Sequence, residues 1–279
     1  MSLYLEHFGL RVPPFSAPPD PEFAYETREH KLAVTKVAYS VDERRGLFLL
    51  TGPIGSGKTT VAELLVGSWD SRPQQYAVAQ LADPSAATPA AFLRVVLASF
   101  GQQTSRNLQD LKDRLRTFLI AEYRAGRIAV LLLDEAQTIS RANLDLIQTM
   151  SNEATAKAKL LQIVLLGQEN FFNKLAQKPA LRSRITGGAH LDPLTLEDAI
   201  GMLTHRAHVA GGSFKRMFRP ETHKPLYNAT GGIPRELCVL CDAALVNAFA
   251  LRQPAVDMSC LEAAAHDLRF KGFRLQETS

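Results

Sequence analysis

From Gly52 to Thr59 the chain reads Gly-Pro-Ile-Gly-Ser-Gly-Lys-Thr, which sets a cation and a hydroxyl at the end of a loop made mostly of backbone. Glycine lets successive N–H groups turn inward with no Cβ in the way, and such a concavity suits a phosphate. The stretch satisfies G-x-x-x-x-G-K-[ST], a signature that needs a strand before it and a helix after it. "LFLLTG" stands before it and "TTVAELLVGSW" follows it. The spacing therefore assigns Gly52, Gly55, Ser56, Gly57, Lys58, Thr59 and Thr60 to a phosphate loop. Lys58 would reach the β- and γ-phosphates of ATP, and the Thr59 hydroxyl would ligate Mg²⁺. A helix starting near Lys58 would aim the positive end of its dipole at the same point.

A second group of residues fits the first. "AVLLLDEAQ" ends an apolar strand in Asp134 and Glu135. An Asp at the C-terminal tip of such a strand points toward the Mg²⁺ of a nucleotide on the loop, so Thr59 and Asp134 form the expected metal pair. Glu135, one residue on, can orient or deprotonate an attacking water, which argues for hydrolysis as well as binding. Gln168 ends another strand, "IVLLGQ", where a polar side chain can contact the γ-phosphate or the water. "ALRSRI" sets Arg182 and Arg184 after a helix, and an Arg there can enter a neighbouring subunit's site as an arginine finger.

These residues require a sheet with its strand tips gathered on one side. The strand signals are short apolar runs, as in a parallel sheet covered on both faces. They are "LFLLTG" from Leu47, "YAVAQLA" from Tyr76, "IAVLLLDE" from Ile128, "LQIVLLGQ" from Leu161 and, more weakly, "AHLDPL" from Ala189. Helical patterns lie between them: "TTVAELLVGSW", "TPAAFLRVVLASF", "LQDLKDRLRTFLIAEYRAG" and "ANLDLIQTMSNEAT". Strand and helix in alternation predict an α/β core with right-handed crossovers. Beyond it the strand signals stop, and "TLEDAIGMLTHRAHVAGG", "RPETHKPLYNATGG", "IPRELCVLCDAALVNAFALR" and "DMSCLEAAAHDLRF" read as helices. The expected domains are 1–195, the nucleotide-binding core, and 196–279, all helical, with a junction near Pro193 to Thr195.

The composition is that of a globular chain, at 46% hydrophobic and 22% charged residues over 279 positions. No apolar run reaches 18 residues, so no transmembrane segment is expected. The N-terminal "MSLYLEHFGLRVPPFSAPPDPEF" carries charges and prolines where a signal peptide has an apolar stretch, and a cytoplasmic location is expected. The three cysteines fit a reducing compartment. Cys238 and Cys241 form a C-x-x-C on an apolar helix face and read as core residues and not as metal ligands. A net charge of +4 permits a polyanionic partner without requiring one.

The residues also carry a family resemblance. "FGL…PF…PDP…Y" ahead of the phosphate loop, then "LLDEAQ", "LLGQ", "LRSRI", "HLDPL" and "GGIPREL", resemble AAA+ ATPases of the ExeA/GspA type. Those are related to the transposition regulators of the TnsC, TniB and Mu B kind. The resemblance runs from Leu3 to about Leu268 and departs from the usual pattern at "GQENFF" and "ITGGAHL". It implies a P-loop AAA+ core, a parallel five-stranded sheet between helices, with a C-terminal all-helical lid and ATP between them. It implies self-assembly with arginines acting in trans, and an N-terminal segment near the adenine. It also implies that Gly231 to Arg235 is the sensor 2 element, with Arg235 reaching the nucleotide; Pro234 opens a helix there, as proline suits a first turn.

Three roles fit such a chain. The first is an ATPase that assembles on duplex DNA as a ring or filament and regulates transposition by recruiting a transposase or target-selection protein. The second is an ATPase assisting type II secretion or envelope assembly; members of that kind continue into a membrane segment and an envelope domain, and the stop at Ser279 favours the first role. The third is a signalling switch that reads ATP state. Candidate DNA contacts are Lys157 and Lys159 in "TAKAK" and Lys215 and Arg216 in "GGSFKRMFRPETHK", with Arg219 and Lys224 nearby and a further basic run at Arg106, Lys112, Arg114 and Arg116. No recognisable reader of base edges is present, so DNA binding would be sequence-tolerant and salt-sensitive.

Overall fold

Five strands form one parallel sheet: β1 (Leu47–Thr51), β2 (Tyr76–Leu81), β3 (Ile128–Leu133), β4 (Leu161–Gly167) and β5 (Ile185–His190), in the order β2-β3-β4-β1-β5. This is a computed structural model of the 279-residue chain, and it describes residues 4–16, 21–156, 158–273 and 275. The described residues fall into two compact units, one of residues 4–16, 21–27, 54–57, 192–273 and 275, and one of residues 28–53, 58–156 and 158–191.

The second of these units holds the sheet. Its three inner strands are apolar runs because both faces are covered, and alternate residues sort onto the two faces. Leu47, Leu49, Leu131, Leu133, Ile163 and Leu165 pack with the helices Pro89–Ser99, Leu108–Arg124 and Arg141–Met150. Phe48, Leu50, Val130, Leu132, Val164 and Leu166 pack with Arg28–Asp42 and Lys58–Asp70. Helix starts follow local chemistry: the side chains of Thr88, Asn107 and Ser140 accept hydrogen bonds from first-turn N–H groups of the helices they precede. The helix expected through "SNEAT" stops at Met150, and Ala154 and Lys159 then form an antiparallel bridge.

The edge strand β5 differs from expectation. It occupies "ITGGAH", four residues ahead of the run at Ala189. Glycine carries little strand signal, but here it fits the neighbour: a Cβ on Gly187 would lie 2.7 Å from Cδ2 of Phe48. The aromatic ring on β1 takes the space a side chain on β5 would need.

The other unit is helical: Leu196–Val209, Phe214–Met217, His223–Thr230, Pro234–Ala250 and Met258–Asp267. Its core contains Cys238, Cys241 and Cys260, and burial pushes the Cys238 and Cys241 thiols up in pKa. The described N-terminal residues belong here and not with the sheet. Tyr4, Leu10, Phe15 and Phe23 join the helical core. Arg206 fixes the segment by donating to the carbonyls of Pro14 (2.9 Å), Ser16 (3.0 Å) and Phe23 (3.4 Å). A guanidinium presents its donors as a planar fork, so one side chain ties down three carbonyls.

Candidate nucleotide site

The loop after β1 leaves the sheet at Gly52 and turns through positive φ at Gly55 (+81°) and Gly57 (+96°). A residue with a side chain adopts such φ values only at a cost, so the glycines permit the bend that the motif requires. Lys58, the first residue of its helix, is only 6% exposed. Its ammonium donates to the carbonyls of Gly52 (3.0 Å) and Pro53 (2.7 Å), which curls the loop around the cation. Ser56 is buried and Thr60 half-buried beside it in sequence.

Asp134 stands at the tip of β3, 5% exposed. Its Oδ2 accepts from the Thr59 hydroxyl at 2.9 Å, and its Oδ1 accepts from the Glu135 N–H at 2.8 Å. A hydroxyl and a carboxylate are hard oxygen donors, the kind Mg²⁺ prefers, and the pair fits that ion. The spacing in sequence thus becomes contact in space, because β3 is parallel to β1 and one strand removed from it.

Glu135 adopts a left-handed backbone (φ +49°, ψ +41°) at the start of the short turn Ala136–Thr138. A non-glycine residue there is uncommon and is a mark of functional sites. Its carboxylate Oε2 accepts from the side-chain amides of Gln137 and Gln168, the latter at 3.2 Å. Gln168 is placed as expected, since β4 pairs with β3. Gln137 is an addition that motif reading missed. Its Oε1 accepts from the Gln168 N–H at 3.1 Å, so one amide joins Glu135 to the end of β4. Thr51, the residue before the loop, hydrogen-bonds to Nδ1 of His190 at 2.9 Å.

The remaining candidates are spread out. Arg184 donates to Oδ1 of Asn152 and to the carbonyl of Ala180, both at 2.6 Å, while Arg182 is exposed at the end of the helix Pro179–Arg182. Lys159 is half-buried, and a Cβ at Gly46 would lie 3.2 Å from its Cγ, so its stem packs on the chain before β1. Lys157 lies outside the described residues. Lys215 and Arg216 are exposed on Phe214–Met217. Of the other basic run, Arg114 pairs with Asp110 at 2.8 Å. Within the helical unit, which includes Ile54–Gly57, the Arg235 N–H donates to the Gly55 carbonyl at 3.3 Å. A Cβ on Gly55 would lie 2.7 Å from that of Arg235.

A glycine loop closed on a lysine, a Thr–Asp pair, an acidic residue after it and a polar strand end beside them define a P-loop protein of the AAA+ class. That class comprises nucleotide hydrolases, and nucleotide binding comes with the fold. The AAA domain family matches residues 41–175. Over 271 residues the chain is 34% identical to General secretion pathway protein A of Aeromonas hydrophila, covering 95% of this chain and 48% of that one. The chain is an AAA+ protein of the ExeA/GspA type, and it spans about half the length of this curated relative. Among solved structures, it resembles Drosophila ORC bound to DNA, with TM-score 0.72 at 15% identity over 96% of this chain and 66% of that one. It also resembles the Aeropyrum pernix ORC2 protein in ADPNP-ADP complexes, with TM-score 0.66 at 16% identity over 91% and 71%. At these identities the likeness is one of fold.

Proposed function

We propose that the chain binds ATP with Mg²⁺ and hydrolyses it to ADP and phosphate. The observation that carries this is the 2.9 Å contact between Thr59 and Asp134, next to a Glu135 carboxylate gripped by two amides. The N–H groups of Gly55, Ser56, Gly57, Lys58, Thr59 and Thr60 would line the phosphates, with Gly52 opening the turn. The Lys58 ammonium would exchange its two loop carbonyls for β- and γ-phosphate oxygens. Thr59 and Asp134 would hold Mg²⁺, which neutralises charge on the phosphate oxygens. Glu135 takes the proton of the attacking water, and Gln168 orients that water or the γ-phosphate. Arg184 or Arg182 serves a neighbouring copy in a homo-oligomer, and Arg235 contacts the nucleotide. Calorimetric titration of ATP into wild-type and Lys58→Ala protein tests the reading. Binding should vanish in the variant, and equal affinity in both would remove the loop from the function.

Two cellular roles use such a motor, and one observation favours each. The relation of ExeA/GspA-type ATPases to transposition regulators, which the sequence resemblance implies, together with exposed Lys215 and Arg216, supports an ATPase that assembles on duplex DNA in the cytoplasm and recruits a transposase. The 34% identity to General secretion pathway protein A supports the type II secretion or envelope-assembly role. Fluorescence anisotropy with duplexes of increasing length, in ATP and in ADP over a salt series, separates them. The first role requires cooperative, ATP-dependent binding that salt weakens steeply, because each subunit repeats one basic patch along the DNA. No length-dependent binding at low salt would leave the secretion role or a switch that reads ATP state.

A further inference from the structure

Behind the turn that carries Glu135, the helices Arg141–Met150 and Phe171–Ala176 border a cavity of about 180 Å³. Its walls are Arg141, Leu144, Lys174, Gln177 and Lys178. Three of the five are cations, and their partners do not balance them. Arg141 donates to the neutral side-chain amide of Gln177. Lys174 donates to the carbonyls of Gln137 and Ile139, the second at 2.9 Å. Among the described residues Lys178 alone of the three meets a carboxylate, that of Asp145, whose side chain is 59% exposed and thus screened by water. The wall therefore carries about two uncompensated positive charges around a small space.

We propose that this cavity is a binding site for a dianionic phosphate group. Size favours a group smaller than a nucleotide, since clefts for ligands of that size run to about 300 Å³ and more. Chemistry selects phosphate: a guanidinium fork and ammonium groups are the usual donors to its oxygens. Charge selects the dianion, a free phosphate or a monoester, over the singly charged diester of a nucleic-acid backbone. The site also touches the catalytic turn. Lys174 has three donors and spends two on the carbonyls of Gln137 and Ile139, which leaves one for the ligand. Occupancy of the cavity and the order of the segment between Glu135 and Ile139 thus share one ammonium.

The site is independent of the glycine loop, and the test keeps the two apart. Inorganic phosphate and dimethyl phosphate are titrated calorimetrically at constant ionic strength into wild-type, Lys58→Ala, Arg141→Gln and Lys178→Gln proteins, with thermal melts to confirm folding. Lys58→Ala should keep one phosphate site of unchanged affinity, while Arg141→Gln should weaken it about tenfold and Lys178→Gln about threefold. Dimethyl phosphate should bind more weakly than phosphate in every protein. Tighter binding of the diester would assign the cavity to a nucleic-acid backbone and overturn the dianion. Loss of the site in Lys58→Ala, or wild-type affinity in a folded Arg141→Gln, would overturn the proposal. Hydrogen exchange supplies the last arm: phosphate should slow the amides of 136–139, and unchanged exchange with binding intact would remove the shared ammonium. Failure of the ATPase reading would show instead as ATP affinity unaffected by Lys58→Ala, with the phosphate result standing.

Discussion

Replacing Gln137 by Leu asks whether the carboxylate of Glu135 is merely near the reaction or held for it. The side chain makes two contacts, a donor to Oε2 of Glu135 and an acceptor at 3.1 Å from the Gln168 N–H. A hydrogen bond to a charged group is worth about 1.5–3 kcal/mol, and half-burial places this one near the lower end. Leucine keeps the bulk and removes both contacts. Glu135 then retains only the Gln168 amide at 3.2 Å, itself loosened because its backbone has lost an acceptor. If the grip orients the carboxylate toward water, its loss should raise the barrier by about 1.4 kcal/mol, a fall of about tenfold in turnover. Affinity for ATP should stay within about twofold, since Lys58, Thr59 and Asp134 are untouched and a factor of two is a small fraction of that energy. Single-turnover hydrolysis with nucleotide binding measured in parallel is the assay. Gln137→Glu, which keeps length but lacks the donor, should not rescue. Unchanged turnover would refute the positioning role, and equal losses in binding and turnover would reduce Gln137 to a structural prop.

Glu135→Gln should keep ATP binding and lower hydrolysis by about 10²–10⁴, the usual contribution of a positioned general base, as measured by phosphate release. Mixing Arg184→Ala with Lys58→Ala protein should restore part of the activity that each lacks alone, because one supplies a sound loop and the other a sound finger. No recovery in confirmed mixed assemblies would mean a site complete within one chain. Gly187→Ala should destabilise the sheet by roughly 2 kcal/mol, because its Cβ would meet the Phe48 ring at 2.7 Å. Calorimetric melting should show a fall of about 4–8 °C.

What could be read from the sequence and what could not divide along one physical line. The phosphate loop, Asp134, Glu135 and Gln168 were legible because each is fixed by its own few neighbours: a strand end in a parallel sheet points one way, whatever surrounds it. The Thr59–Asp134 contact then followed from strand order alone. The features that escaped depend on partners distant in sequence. Nothing in "ITGG" reads as a strand until the Phe48 ring fills the space its side chains would have taken. Nothing in the N-terminal residues says that Arg206, almost 200 positions on, will collect their carbonyls. Gln137 and Lys174 escaped for a subtler reason. Each makes its contact through a turn too short to have a period, so no spacing rule marks it. Yet both act on the segment between Glu135 and Ile139, Gln137 from within it and Lys174 from the helix Phe171–Ala176, and there the backbone turns left-handed at Glu135. A strained residue persists only when its surroundings over-determine it, and here those surroundings include the amides of Gln137 and Gln168 and the Lys174 ammonium on the carbonyls of Gln137 and Ile139. Function in this unit therefore rests on two layers. Under the proposed function the motif would supply the reacting groups, and the unmarked residues behind it would set which way the carboxylate faces.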